Sequence, residues 1–123
     1  MIGLGLDLCE VKRIENAIAH TRGFLERYYT PEERDYLAKR GQSAGQSAAA
    51  MFAAKEAFLK ALGVGLSGGI AMADVEVMHD GLGCPAYAPG EKAKALMAKK
   101  GAKTAYLSLT HDAGIAAAVC VLE

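Results

Sequence analysis

The sequence has no excess of charge of either sign. Fourteen Lys and Arg offset fourteen Asp and Glu in 123 residues, so the formal net charge at pH 7 is zero. A nucleic-acid-binding domain is expected to be clearly basic, and that footprint is missing here. Balance still permits the two signs to be segregated on different faces. Cysteine is sparse: Cys9, Cys84 and Cys120 are odd in number and far apart, with no C-x-x-C. Neither a redox dithiol nor a zinc knuckle is therefore suggested. His20, His79 and His111 show no metal-ligand spacing. The segment Met1-Ile2-Gly3-Leu4 lacks the basic opening of a signal peptide, and no apolar run approaches the ~20 residues of a membrane span. The expectation is a cytoplasmic protein in a reducing compartment. No repeat or linker divides the chain, so residues 1–123 read as a single domain.

Hydrophobic residues make up 52% and charged residues 23%, which excludes disorder. At this length folding buries roughly two-thirds of the surface exposed by the unfolded chain, enough for a core without staples. Residues 2–8 alternate, with Ile2, Leu4, Leu6 and Leu8 on one face and Gly3, Gly5 and Asp7 on the other. This pattern predicts a strand whose second face is bare until it ends in a carboxylate. A helix is expected over Glu10 to Thr21, with Val11, Ile14, Ala17 and Ile18 at helical spacing. Thr30-Pro31-Glu32-Glu33 is a helix start with a capping box, running to about Arg40. Gly41 to Ser47 reads as a loop or a frayed lead-in, with Ser43 or Ser47 available to cap a long helix over Ala48 to Leu62 that stops at Gly63. Gly63 to Gly69 reads as a flexible loop. Val75 and Val77 mark a strand turned back by His79 to Pro85 towards Tyr87, and Pro89 opens a helix that ends before Gly101. Two strands, Thr104 to Thr110 and Ile115 to Leu122, are joined by a tight turn at His111-Asp112-Ala113-Gly114. Hairpins plus several helices give an α+β fold rather than a doubly wound sheet.

On a helical wheel of residues 48–62, Met51, Phe52, Phe58, Leu59 and Leu62 define an apolar arc. Lys55 falls near its middle, and Glu56 and Lys60 on one edge. A lysine centred on a core face is costly unless its amine reaches water or an anion; the plainer alternative is a snorkelling stem. Glu56 and Lys60 could equally be an ordinary i,i+4 pair. Gly3 and Gly5 leave room for a close approach to the first strand. Either a helix packs there and Asp7 caps the helix that follows, or Asp7 joins Glu56 around a hard divalent cation. Two carboxylates completed by waters and phosphate oxygens suit Mg²⁺. The glycine motifs are weak: Leu8 occupies the place of a third fingerprint glycine, and Gly63 to Gly69 lacks a P-loop ending.

Taken together in order, Gly5-Leu6-Asp7 with Glu10 and Arg13, Tyr29-Thr30-Pro31-Glu32-Glu33, Phe52-Ala53-Ala54-Lys55-Glu56-Ala57-Phe58-Leu59-Lys60-Ala61-Leu62-Gly63 and Ser108-Leu109-Thr110-His111-Asp112 closely resemble the small bacterial holo-[acyl-carrier-protein] synthases. The resemblance spans the chain. It implies an antiparallel sheet packed against a long central helix and shorter helices. It also implies transfer of the 4′-phosphopantetheine arm of coenzyme A to a serine of apo acyl carrier protein, releasing adenosine 3′,5′-bisphosphate, in fatty acid biosynthesis. By the resemblance, Asp7 and Glu56 hold Mg²⁺, while Lys60 and Lys55 lie near the coenzyme A phosphates. His111, Gly63 and Gly65 border the nucleotide, and Arg13 meets the acidic carrier protein. A homotrimer with active sites between subunits is implied as well. Glu56 through a water is the first candidate for general base, and Asp112 the second. Met51 stands where many relatives carry arginine, and Cys84 where a basic residue is common. The alternative is a non-catalytic coenzyme A-binding or carrier-docking module of the same fold.

Overall fold

The structure, a computed structural model, describes residues 1–65 and 68–123. Strand β1 (Gly3–Glu10) leads into helix α1 (Val11–His20), then α2 (Phe24–Tyr28), α3 (Pro31–Ala38), a 3₁₀ turn at Gly41–Ser43 and the long α4 (Ala44–Leu62). A second 3₁₀ turn (Met72–Asp74) precedes strands β2 (Val75–His79) and β3 (Pro85–Pro89), α5 (Glu91–Lys100), β4 (Ala105–Asp112) and β5 (Ile115–Leu122). The strands form two antiparallel sheets, one ordered β1-β5-β4 and one β2-β3. The architecture is α+β, with the three-stranded sheet packed on α4.

Three boundaries differ from the sequence expectation. Pro89, expected to open a helix, ends β3 instead, and α5 starts at Glu91 after the N-cap Gly90. Helix α4 begins at Ala44, four residues early, because the small residues expected to form a loop propagate the helix out of the 3₁₀ turn. Ser43 stands at its N-cap without a side-chain cap bond, and Ser47 is already inside the helix. Strand β4 runs on to Asp112, leaving a two-residue turn at Ala113 and Gly114, both at positive φ (51° and 77°). Paired positive φ values are those of the hairpin turn whose twist matches the strands. The short helix α2 was not anticipated; five residues are too few for a periodic signal.

The bare face of β1 is the buried one. A Cβ on Gly3 would meet the Ala61 carbonyl, and one on Gly5 the Ala57 carbonyl and the Ala61 amide nitrogen. The strand backbone therefore lies directly on a helix face kept thin by Ala53, Ala54, Ala57 and Ala61, all buried. Gly5→Ala forces the two elements apart and is expected to cost about 3 kcal/mol. That is roughly 10 °C in Tm for a chain of this size, measurable by calorimetry. The opposite face of β1 carries Leu4, Leu6 and Leu8, exposed at 58%, 60% and 64%. Sheet register continues this apolar stripe through Val121, Val119 and Ala117 of β5 to Tyr106 of β4.

Candidate functional site

At the end of the glycine face, Asp7 turns towards α4. Lys60 reaches across rather than along its own helix, its Nζ donating to Asp7 Oδ1 (3.0 Å) and to the Leu6 carbonyl (3.0 Å). The i,i+4 alternative for Glu56 and Lys60 is thus not the contact formed, and Asp7 does not cap α1, whose N-cap Glu10 makes no side-chain cap bond. Glu56 lies half-buried one turn before Lys60. Burial pushes its carboxyl pKa up, and the neighbouring Asp7 charge pushes it further, against the pull of Lys60 and Arg13. Arg13 closes the same cluster: its Nη2 lies 3.7 Å from Cys9 Sγ and its guanidinium sits 5.8 Å from the Phe52 ring centre. The structure therefore brings Asp7, Glu56, Lys60 and Arg13 together. Two like charges meet on a half-dry surface, flanked by two cations.

No group of three or more metal-ligating side chains occurs among the described residues. Asp7 and Glu56 are hard oxygen donors that repel one another, and a divalent cation relieves that repulsion. Mg²⁺, which keeps most of its shell as water or phosphate oxygen, fits a pair of carboxylates where a four-ligand zinc site does not.

Lys55 is placed elsewhere, and the expected phosphate contact is corrected. Its ammonium is fully buried, with Nζ bonded to Glu33 Oε1 (2.7 Å), the Val75 carbonyl (2.9 Å) and the Met72 carbonyl (3.2 Å). An ammonium has three N–H donors, and all three are used inside the protein. Burial lowers its pKa while Glu33 opposes the shift. Of the water, anion and snorkelling-stem readings, the structure shows the anion, and it is Glu33 on α3.

His111 lies in a second cleft of about 230 Å³, its Nδ1 3.0 Å from Gln46 Nε2. Tyr36, Arg40, Ser47 and His79 line it as well, with Gly83 and Pro85 flanking the exposed Cys84. These were not singled out from sequence, because Arg40 and His79 converge only through folding. Gln46 and Glu56 are ten residues apart on α4, about 15 Å along its axis. One chain therefore does not bring His111 to the carboxylate pair. Asp112 follows His111 on β4 and by alternation shares the open face of the sheet with Tyr106 and Thr110, so it is not at the pair either. Gly63 ends α4 at φ 74° and, like Gly65, is exposed; Lys100 Nζ lies close to it, a cation that sequence reasoning missed. Leu66 and Ser67, inside the expected glycine loop, fall outside the described residues. Met51 is buried in the core and offers the site nothing polar.

Comparison with known proteins matches this fold and site. The model of the 4′-phosphopantetheinyl transferase superfamily matches residues 3–120. A holo-[acyl-carrier-protein] synthase of Geobacter sp. (strain M21) is 43% identical over 122 residues, 98% of this chain and 97% of that protein. The crystal structure of the holo-[acyl-carrier-protein] synthase of Neisseria meningitidis superposes with a TM-score of 0.88 at 31% identity, covering 100% of this chain and 98% of that one. A Bacillus anthracis holo-(acyl-carrier-protein) synthase in complex with CoA (3′,5′-ADP) gives 0.81 at 31% identity, covering 98% and 95%. The chain belongs to the 4′-phosphopantetheinyl transferase superfamily. It is an enzyme of that transferase class, of the holo-[acyl-carrier-protein] synthase type. Among the described residues no helix is long and apolar enough to cross a membrane.

Proposed function

We propose that this enzyme transfers 4′-phosphopantetheine from coenzyme A to a serine of apo acyl carrier protein in an Mg²⁺-dependent reaction. The observation that carries the reading is the facing pair Asp7 and Glu56 beside Lys60, on two elements whose close approach Gly3 and Gly5 permit. Asp7 and Glu56 would hold Mg²⁺, which supplies charge neutralisation on the coenzyme A diphosphate. Lys60, exposed and anchored by its bond to Asp7, adds a second positive charge to the same surface. The serine Oγ forms a bond to the β-phosphorus as the bridging P–O bond breaks and adenosine 3′,5′-bisphosphate leaves. The serine proton passes to Glu56 through a water. Positioning and electrostatics supply most of the rate in such a transfer.

The His111 cleft would take the nucleotide end of coenzyme A, with Gly63 and Gly65 beside the phosphates. Within one chain the cleft and the carboxylate pair lie at different levels of α4, on the Gln46 and the Glu56 turns. The proposed active site is therefore shared between subunits of a homotrimer. The exposed Leu4, Leu6 and Leu8 stripe is of the apolar kind that a subunit contact covers. Arg13, exposed on α1 beside the acidic pair, would meet the acidic carrier. The test incubates the enzyme with coenzyme A, Mg²⁺ and apo carrier protein. Intact mass is expected to rise by one phosphopantetheine, and an unchanged mass refutes the reading.

A further inference from the structure

Glu33 is a fully buried carboxylate that the proposed reaction does not use. Its Oε1 accepts from Lys55 Nζ (2.7 Å) and from the Thr30 amide (2.9 Å); its Oε2 accepts from the Val77 amide (2.7 Å). Lys55 in turn donates to the Met72 and Val75 carbonyls. Thr30 Oγ1 bonds Glu76 Oε1 at 2.6 Å, adding a second tie between the start of α3 and β2. The hub thus fastens α3, α4 and β2 to one another through side-chain bonds. Among the described residues strand β2 pairs with β3 and is not hydrogen-bonded into the main sheet, so these ties and the core packing of Val75 and Val77 set its place against α4.

The same three elements wall the His111 cleft together with β4, which carries His111, and the start of β3. Tyr36 lies one turn beyond Glu33, and its ring stacks on His79 at 4.0 Å with the planes 3° apart. His79 is two residues beyond Val77, on the same strand face. Gln46 and Ser47 come from the other end of α4, and Arg40 follows α3, its Nε bonded to Ser47 Oγ at 3.1 Å. We infer that the Glu33–Lys55 pair is a positioning device for this cleft, setting the separation of its α3, α4 and β2 walls and hence the fit of a nucleoside bisphosphate. The inference rests on the assignment of the cleft to the nucleotide end of coenzyme A. Both ions are sealed from solvent, so they act through the walls and never touch the ligand.

The experiment measures the Kd of adenosine 3′,5′-bisphosphate by calorimetric titration for wild type, Lys55→Met, Glu33→Gln and His111→Ala, well below each Tm. Lys55→Met removes all three N–H donors; Glu33→Gln keeps the shape, removes the charge and turns one acceptor oxygen into a donor, the smaller change in volume, so it carries the test if Lys55→Met fails to fold. Loss of an outer positioning partner typically weakens a site by roughly 10–100-fold. The folded hub variants are expected to bind the bisphosphate about tenfold more weakly, with KM for coenzyme A rising in parallel and kcat at saturation within about twofold of wild type. A purely structural pair would lower Tm and leave Kd of the folded molecules unchanged, and that result overturns the inference. If His111→Ala binds as wild type does, the assignment of the cleft fails instead. Weakened binding in His111→Ala with wild-type binding in both hub variants rejects the hub alone.

Discussion

Asp7→Ala is expected to lower the transfer rate by roughly 10²–10³-fold, the scale of losing one group that stabilises developing charge in a sheltered site. Three consequences converge in that side chain. One of only two carboxylates facing the phosphate surface disappears, so Mg²⁺ would bind through Glu56 alone. Lys60 loses its Oδ1 partner and keeps only the Leu6 carbonyl, so its ammonium is less firmly aimed. The Glu56 pKa falls, because the Asp7 charge is one of the causes holding it up. The last effect separates electrostatics from misfolding. In a pH titration of Glu56 followed by carbon NMR in the metal-free protein, the wild-type carboxyl protonates at higher pH than in Asp7→Ala. The direction follows from like-charge repulsion: a neighbouring anion favours the protonated form, and its removal favours the ionised one. Asp7 is 17% exposed and sits at the end of the tightly packed glycine face, so alanine fits without strain and Tm changes little. A variant that loads carrier protein at the wild-type rate, read by intact mass, removes the metal assignment. A wild type that binds coenzyme A and carrier but never joins them makes the fold a docking module.

Much of this site was legible in the sequence because its determinants are local. The spacing of Gly3, Gly5 and Asp7 fixes their common face through the two-residue period of a strand, and Glu56 and Lys60 follow from the helical period. Thr30 and Glu33 formed the expected capping box, with the Glu33 amide on Thr30 Oγ1 at 3.2 Å. Lys55 was half legible. Periodicity placed it on the core face and left its amine to reach water or an anion, but Glu33 is twenty-two residues away. Only the packing of α3 on α4 brings them together. The second oxygen of Glu33, which bonds Val77, was invisible for the same reason. Charge segregation was likewise hidden from a net charge of zero. Lys60 and Arg13 surround the acidic pair, while Lys92, Lys94, Lys99 and Lys100 concentrate on α5.

Leu6→Asp is expected to abolish both assembly and transfer while leaving the single chain folded. In the isolated chain Leu6 is 60% exposed, so the substitution removes little internal packing. On its own sheet face it sits in an apolar stripe, with Val119 opposite, Leu4 and Leu8 on either side, and Val121 and Ala117 beyond. Covering each leucine contributes about 1.5–3 kcal/mol, so the stripe can hold subunits together without charged contacts. An aspartate at its centre reverses that gain, since burying an unpaired carboxylate costs more than the leucine contributed. Sedimentation is expected to move from trimer to monomer, with an unchanged far-ultraviolet circular dichroism spectrum. Transfer is lost because the proposed active site takes its carboxylate pair from one subunit and its His111 cleft from the next. The shared site has a sharper consequence. In a ring of subunits each interface joins different patches, so an Asp7→Ala chain can lend its His111 cleft to a His111→Ala chain that retains the carboxylates. Equal mixing of the two variants, dissociated and reassembled, yields about a quarter of interfaces with both parts intact. Activity at subsaturating coenzyme A then recovers towards that fraction from two nearly inactive parents. No recovery in reassembled trimers places both parts of the site within one chain, against the separation along α4.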